Sequence, residues 1–398
     1  MSRLAVHGGT PVRDSWLPYG QQWIEEEDIA QVVKVLQSNF LTQGPAIQEF
    51  ENQVASYVGA KYAVAFCNGT AALHAACNAA GIGVDDEVIT TPLTFVASSN
   101  CVLYQGGRPV FADIDPETYN IDPKDIVAKI TSKTKALIPV DFTGQPANME
   151  EINDIAREFG LVVIEDAAHS LGGRYKGNKV GTMAEMTMFS FHPVKHITTG
   201  EGGVIVTDNE EYYQRMLLFR SHGITREPER LMSDLQEPWY YEMQSLGYNY
   251  RMTDLQASLG SSQLNKLESF LNRRREIIQL YNQAFEEMEG VATPFQDPDS
   301  DSAWHLYVLK LDPEQLRASR KQVFEALRAE NIGVNVHYIP VYLQPYYQEL
   351  GYKNGSCPVA EAVYEQLITL PLYPKMTNSD VNDVIIAVNR ILEYYRIQ

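Results

Sequence analysis

The segment Ser190-Phe-His-Pro-Val-Lys-His-Ile-Thr-Thr-Gly-Glu-Gly-Gly203 carries one lysine, Lys195, flanked by two apolar runs, Thr187 to Phe191 and Gly203 to Val206. Two short strands joined by a Gly- and Thr-rich connection would hold that amine at one point in a buried turn. Upstream, Leu161-Val-Val-Ile-Glu-Asp166 is an apolar run ending in two acids. The C-terminal end of a buried strand is where open α/β sheets place their ligand chemistry. Earlier still, the short strand Tyr62-Ala-Val-Ala-Phe-Cys67 runs into Asn68-Gly-Thr70 and an alanine-rich helix from Ala71 to Ala80. A glycine turn feeding a helix presents unpaired N–H groups and the positive end of the helix dipole, which suits a phosphate.

Each feature also has an ordinary reading. A lone lysine between strands is more often a solvated surface charge, and a strand-end aspartate is usually a cap or turn residue. Asn68 or Thr70 could simply cap the following helix. What distinguishes this chain is that a buried lysine amine, a strand-end aspartate and a phosphate turn occur together. Those are the parts that pyridoxal phosphate chemistry needs.

The elements that must position them alternate. Glu87-Val-Ile-Thr reads as a strand, Phe95 to Tyr104 as a helix and Pro109-Val-Phe-Ala as a strand. Asp125 to Ile130 and Ala136 to Val140 repeat the pattern, then Met149 to Phe159 and Leu161 to Ile164. Such alternation predicts a mainly parallel sheet covered on both faces. Ahead of it, Ile29, Val32, Val33 and Leu36 recur at helical spacing, as do Ile47, Phe50, Val54 and Tyr57. Small side chains at Ala71, Ala72, Ala75, Ala76 and Ala79 would let one helix pack closely on the sheet. Beyond a charged surface segment, Arg226 to Tyr241, Thr253 is a plausible helix cap. A charged helix, Gln263 to Met288, looks like the bridge into a second unit. There Trp304 to Leu311 and Val334 to Tyr338 read as strands, Ser319 to Glu330 and Ser379 to Tyr395 as helices. The expected division is a large unit over residues 1–265 and a small α+β unit over 266–398.

At 398 residues with 44% apolar and 21% charged side chains, the chain has the composition of a soluble globular protein. A net charge of −19 argues against nucleic-acid and anionic-membrane surfaces. It also means that local donors must hold any anionic substrate. The four cysteines form no C-x-x-C pair and no metal spacing, so no metal site is expected and a reducing cytoplasm fits best. The N-terminus lacks an apolar stretch of signal-peptide length. Tyr62 to Val84 and Val88 to Gly107 are free of charged residues, but Asn, Thr, Ser, Gly and Pro interrupt them and they read as strand-turn-helix units.

Together, Asn68-Gly-Thr-Ala-Ala-Leu73, Thr91-Pro-Leu-Thr-Phe95, Glu165-Asp-Ala-Ala-His169, the Lys195 segment and Gly247-Tyr-Asn-Tyr-Arg251 resemble the DegT/DnrJ/EryC family of sugar-nucleotide aminotransferases. The resemblance runs from about Tyr19 to the C-terminus. It implies the fold-type-I pyridoxal phosphate architecture: a large α/β domain with a mostly parallel seven-stranded sheet between helices, plus a small C-terminal α+β domain. It also implies the roles. Lys195 matches the lysine that forms the internal aldimine and moves the proton between substrate and cofactor. Asp166 matches the acid facing the pyridine nitrogen. His169 falls beside the ring or its 3′-oxygen, with a satisfied core histidine as the alternative. Phe95 matches the ring-stacking aromatic; Gly69, Thr70, Ala71 and Ser190 match the phosphate cradle. Asn249 matches a residue reaching the phosphate of the neighbouring subunit, so the resemblance implies a homodimer with a shared site.

Relatives with other sugar chemistry carry histidine in place of the lysine, so Lys195 favours transamination, with pyridoxamine phosphate as the intermediate. No arginine lies between Arg328 and Arg390 to grip a second carboxylate. That region instead offers His337-Tyr-Ile-Pro-Val-Tyr-Leu-Gln-Pro-Tyr-Tyr347, suited to a sugar or base face, although several of these tyrosines could merely pack. Tyr19-Gly-Gln-Gln-Trp23, Asn39-Phe-Leu-Thr-Gln-Gly-Pro45 and His337-Tyr-Ile-Pro340 are most similar to the pseudaminic-acid branch. In that branch glutamate aminates C4 of a UDP-linked 4-keto-6-deoxy-N-acetylhexosamine. It places Tyr19, Asn39, Phe40, Leu41, Thr42, His337, Tyr338, Ile339 and Pro340 at the substrate; His192, just before Lys195, could contact substrate or equally well cap or pack. Relatives acting on dTDP- or GDP-linked 3- or 4-keto sugars share these motifs. A catalytically silent regulator on the same fold would need a basic DNA-binding face, and a Rossmann oxidoreductase would need G-x-G-x-x-G, which Cys67-Asn-Gly-Thr70 does not supply.

Overall fold

A computed structural model describes residues 3–233 and 237–397. The apolar runs become strands β1 (Tyr62–Phe66), β2 (Glu87–Thr90), β3 (Arg108–Phe111), β4 (Thr134–Ile138), β5 (Val162–Asp166), β6 (Met186–Ser190) and β7 (Gly203–Thr207). They form one seven-stranded sheet in the order β1-β7-β6-β5-β4-β2-β3. From β6 across to β3 every neighbouring pair is parallel, whereas β7 runs antiparallel to both β1 and β6. Reversing that one strand goes with the helix-free connection after Ser190: a parallel return needs a crossover, usually a helix.

Helices cover both faces, as the βα alternation requires. On one, α3 (Gly69–Ala79) buries its alanine stripe against Val64, Phe66, Ile138 and Ile205, with α4 (Ala97–Tyr104) alongside. Ala72, Ala75, Ala76 and Ala79 are fully buried, so the small side chains let this helix lie close to the sheet. On the other face, α2 (Pro45–Val58) packs Phe50 and Val54 against Ala63, Ala65, Val204 and Val206. The two charge-free stretches are β1-turn-α3 and β2-turn-α4. Among the described residues no helix is long and apolar enough to cross a membrane.

Helix α1 (Glu26–Leu36) departs from the usual logic of an amphipathic helix. Its periodic apolar residues Ile29, Val33 and Leu36 are 48%, 41% and 56% exposed. The side chain it buries is Asp28, which accepts from Lys266 Nζ at 2.6 Å, Ser262 Oγ at 2.7 Å and Gln263 Nε2 at 2.8 Å. A charge-assisted network therefore seats α1 on the helix Asp254–Leu264, and the apolar stripe is left facing outward. Thr253 caps that helix as expected, with Gln256 closing a capping box.

The C-terminal unit is a three-stranded antiparallel sheet of Val291–Ala292, Tyr307–Leu311 and Leu367–Leu370, backed by helices Leu267–Phe285, Arg320–Ala329 and Asn378–Tyr395. Leu4 and Leu17, from the segment expected to belong with the large unit, pack in this core instead. Buried Glu330 anchors them by accepting from Ala5 N at 3.0 Å and Val12 N at 2.8 Å. The expected strand Val334–Tyr338 does not form. Only Asn335 pairs, with Thr369, before the chain leaves the sheet and Val341 N bonds Pro92 O. The pairing partner of Tyr307–Leu311 is Leu367–Leu370, a four-residue run too short to announce itself in sequence. The expected surface segment Arg226 to Tyr241 includes residues 234–236, and these, like Met1 and Ser2, lie outside the described residues.

Candidate active site

Strand register assembles the site. Gly203 pairs with Phe66 on one side and Ser190 on the other, and Asp166 pairs with Met188. The ends of β1, β5 and β6 and the start of β7 therefore share one edge of the sheet. An added Cβ on Gly203 would lie 2.7 Å from Gly69 Cα. The turn before α3 rests directly on β7, an approach open only to glycine. Asn68 caps α3 by accepting from Ala71 N at 2.8 Å, and its carbonyl accepts from Ala72 N at 3.1 Å, so the cap takes up the amides after Thr70 and not those of Gly69 and Thr70.

A cleft of about 1000 Å³ opens over this edge. Of the residues singled out in the sequence, Gly69, Thr70, Ala71, Phe95, Asp166 and His169 line it, as do Ser190, His192, Lys195, Tyr19, His337 and Tyr338. Asn39, Phe40, Leu41, Thr42, Asn249, Ile339 and Pro340 do not. Pro340 is buried, and the other six are exposed on the surface of this chain. Phe95 precedes α4 rather than opening it, and its ring is 59% exposed to the cleft rather than packed in the core.

Lys195 sits in the β6–β7 connection, its backbone N donating to His192 O at 2.9 Å. Burial lowers its amine to about 8, with Arg274 adding to the shift and Asp166 opposing it. Asp166 is 4% exposed. Burial raises its carboxyl, while donors from Ser98 Oγ at 2.6 Å and Ala168 N at 3.2 Å, and the charge of Lys195, pull it down. Cation and acid thus face one another in a poorly hydrated edge, an arrangement typical of reactive sites. Behind them lie two more buried acids. Glu165 is raised well above the usual range by burial and by the nearby Asp141 charge, and Asp141 is pushed up to about 7 by burial.

His169 lies in a turn after β5 rather than on a helix. Its Nε2 is 3.3 Å from Tyr338 Oη, while Nδ1 is buried without a partner among the described residues. Burial keeps the ring neutral by holding its affinity for a proton well below that of an ordinary histidine. His337 bonds Thr369 Oγ1 at 2.8 Å and packs beside the Tyr19 ring at 5.5 Å. No arginine is among the residues lining the cleft, and Lys195 is the one lysine there.

Several site residues escape the motifs. Ser98, Tyr104 and Asn335 line the cleft, and His305 reaches Lys195 itself; Thr94 and Tyr250, which also line it, stand inside two motifs that assigned them no role. Ser98 has no marker beyond following Thr91-Pro-Leu-Thr-Phe95. His305 could have been found as a histidine inside the apolar run Trp304 to Leu311.

Comparison with known proteins places this geometry. The model of the DegT/DnrJ/EryC1/StrS aminotransferase family matches residues 22–389. The spore coat polysaccharide biosynthesis protein SpsC of Bacillus subtilis is 44% identical over 383 residues, 96% of this chain and 98% of SpsC. Among solved structures, Helicobacter pylori PseC, an aminotransferase of pseudaminic acid biosynthesis, superposes with a TM-score of 0.89 at 31% identity, covering 96% of this chain and 100% of PseC. The putative sugar aminotransferase Spr1654 of Streptococcus pneumoniae in its PLP form superposes with a TM-score of 0.88 at 30% identity, over 95% of this chain and 99% of Spr1654. A PMP form of the same protein superposes with a TM-score of 0.89 at 31% identity, over 95% of this chain and 99% of Spr1654.

Proposed function

This chain belongs to the DegT/DnrJ/EryC1/StrS aminotransferase family, and we propose that it moves an amino group from L-glutamate to C4 of a UDP-linked 4-keto-6-deoxy-N-acetylhexosamine. The observation that carries this reading is the meeting of Lys195, Asp166 and the first turn of α3 in one cleft. The residues present suit pyridoxal phosphate on features of the cleft itself: the orphaned Nδ1 of His169, the uncovered ring of Phe95, and the first-turn amides above Gly203.

Gly69, Thr70, Ala71 and the Ser190 hydroxyl would hold the cofactor phosphate, Phe95 would cover one ring face, and Asp166 would keep the ring nitrogen protonated. Bound there, the cofactor supplies a carrier for the amino group and a ring that withdraws the electron pair left when a C–H bond breaks. Lys195, in our reading the attachment point, does the proton work. Its amine takes the proton from Cα of glutamate, which leaves as 2-oxoglutarate, and then delivers a proton to C4 of the sugar. An amine held near 8 is matched to both tasks close to neutral pH.

Tyr19, His337 and Tyr338 supply hydroxyl and imidazole groups along one wall, a surface for a sugar rather than for a second carboxylate. The similarity to PseC supports the UDP-linked sugar. The greater identity to SpsC favours one alternative, the same reaction on a dTDP- or GDP-linked 3- or 4-keto sugar destined for a surface polysaccharide. Purified protein loaded with pyridoxal phosphate and given glutamate should form 2-oxoglutarate and amino sugar in equal amounts. The UDP-linked substrate should show the highest kcat/KM. A dTDP or GDP congener winning that comparison selects the alternative, and no amino product from any keto sugar rejects both.

The homodimer is part of the same proposal. Ile29, Val33, Leu36, Phe40 and Leu41 form an outward apolar surface around α1, and exposed Asn39 to Thr42 and Asn249 would complete the cleft of a second copy. Lys195→Ala and Asn249→Ala should each be poorly active. Mixed as equal hybrids they should regain about a quarter of wild-type activity, the share of sites that a random dimer rebuilds. Verified hybrids with no recovery would show that each chain carries its whole site.

A further inference from the structure

Against the Lys195 amine, which lines the cleft, lies a histidine that does not. His305 Nε2 lies 3.4 Å from Lys195 Nζ. Its backbone is held from two sides, with N–H donating to Thr143 O at 2.8 Å and the carbonyl accepting from Arg274 Nη1 at 3.2 Å. The ring is 4% exposed and sits 4.4 Å from His169 and 5.5 Å from His196. Its second nitrogen, Nδ1, is buried without a partner among the described residues.

That orphan decides the tautomer. A proton on Nδ1 would bury an unpaired donor; a proton on Nε2 leaves only an unpaired acceptor and gives the lysine lone pair a donor. The charged ring is disfavoured by burial and by the other cations around it. Neutral His305 with its proton on Nε2 can bond a free amine, whereas an ammonium at Nζ would meet N–H against N–H.

We propose that His305 is a positioning residue whose Nε2–H donates to the lone pair of Lys195 Nζ whenever the amine is unprotonated and carries no cofactor or substrate, favouring the free base and parking the lone pair until it turns toward an electrophile in the cleft. This rests on reading Lys195 as the reactive amine. The other groups facing that amine are Asp166 at the end of β5, His169 in the turn after it, His192 and His196 from its own connection, His337 from the cleft wall and Arg274 from the helix Leu267–Phe285. Asp166 is the one anion among them and favours the ammonium.

The test uses cofactor-free full-length protein. Trace acetylation across a pH series, read by mass spectrometry of the Lys195 peptide against exposed lysines, gives the titration midpoint of the amine. In His305→Phe the midpoint should rise by about one pH unit, because a directed N–H dipole is lost while the apolar volume stays. His305→Gln, which keeps a donor, should stay near wild type. A Phe variant with an unchanged or lower midpoint overturns the proposal. If that variant does not fold, nitrogen-15 histidine spectra of the wild type, assigned with His305→Gln, still decide the matter: a proton on Nε2 supports it and a proton on Nδ1 overturns it. Borohydride trapping of bound pyridoxal phosphate is read separately. Mass added at another residue refutes the assignment of Lys195, whatever the midpoint shows.

Discussion

Lys195→Ala should lose turnover by on the order of 10⁴-fold or more, since one side chain is asked both to attach the cofactor and to carry the proton. The purified variant should bind pyridoxal phosphate without the yellow protein-linked chromophore, and borohydride should fix no label to it. Retained turnover would remove Lys195 from the mechanism. A second, opposite effect follows from its surroundings. The folded protein binds this proton more weakly than the unfolded chain does, about 8 against 10.5. Below about 8 the buried ammonium is therefore a cost, and stability rises with pH from there to about 10.5, where the cost is gone. In cofactor-free protein at neutral pH, Lys195→Met should gain on the order of 3 kcal/mol, the free-energy equivalent of that shift. Denaturant titrations at pH 7 and pH 10.5 check this: the gain should be large at the first and small at the second.

Asp166→Asn should lower kcat by about 10²- to 10³-fold with a much smaller change in KM for glutamate. The substitution keeps the shape and removes the charge that faces Lys195 and, in the proposed complex, the ring nitrogen. Single-turnover measurements with glutamate isolate the step concerned. An unchanged rate would show that the carboxylate is structural. The hydroxyl of Ser98, 2.6 Å away, is one of the donors that keep the Asp166 charge affordable in a buried place. The carboxyl is raised overall, so its charge is lost at a higher pH than that of an ordinary aspartate as the solution is acidified. Removing the hydroxyl raises it further. The acid limb of the activity profile in Ser98→Ala should move toward neutral pH.

Much of this was legible from residue order. Lys195, Asp166 and the Asn68-Gly-Thr70 turn each sit at the end of an apolar run of strand length, and strand ends in α/β sheets converge on one edge. The alanine stripe of α3 gave away a helix lying close to a sheet, and Thr253 announced its cap. These are local signals, set by side-chain size, period and hydrogen-bonding groups within a few residues.

Other features had no local signal. Apolar periodicity in α1 implied a buried stripe, but Asp28, through Lys266, Ser262 and Gln263, decided which face turns inward. Val334 to Tyr338 has the composition of a strand, but only Asn335 pairs, with Thr369 on the outer edge of Leu367–Leu370, and the residues that follow become a cleft wall. Leu4 and Leu17, expected with the large unit, fill a core made from residues more than 250 positions away.

Residue types and their order determined the fold class and which amine and acid we propose as reactive, since these depend on periodicity and on chemistry that only lysine and aspartate bring to such positions. The tertiary structure alone decided which groups gather around that amine, Asp166 and His169. Ser98, Arg274, His305 and Tyr338 come from four separate segments, and contacts between distant segments depend on how helices and strands pack in space, which no window of sequence encodes. The charge state of Lys195 follows from that packing, because burial by those neighbours, more than any local feature, sets how tightly its proton is held.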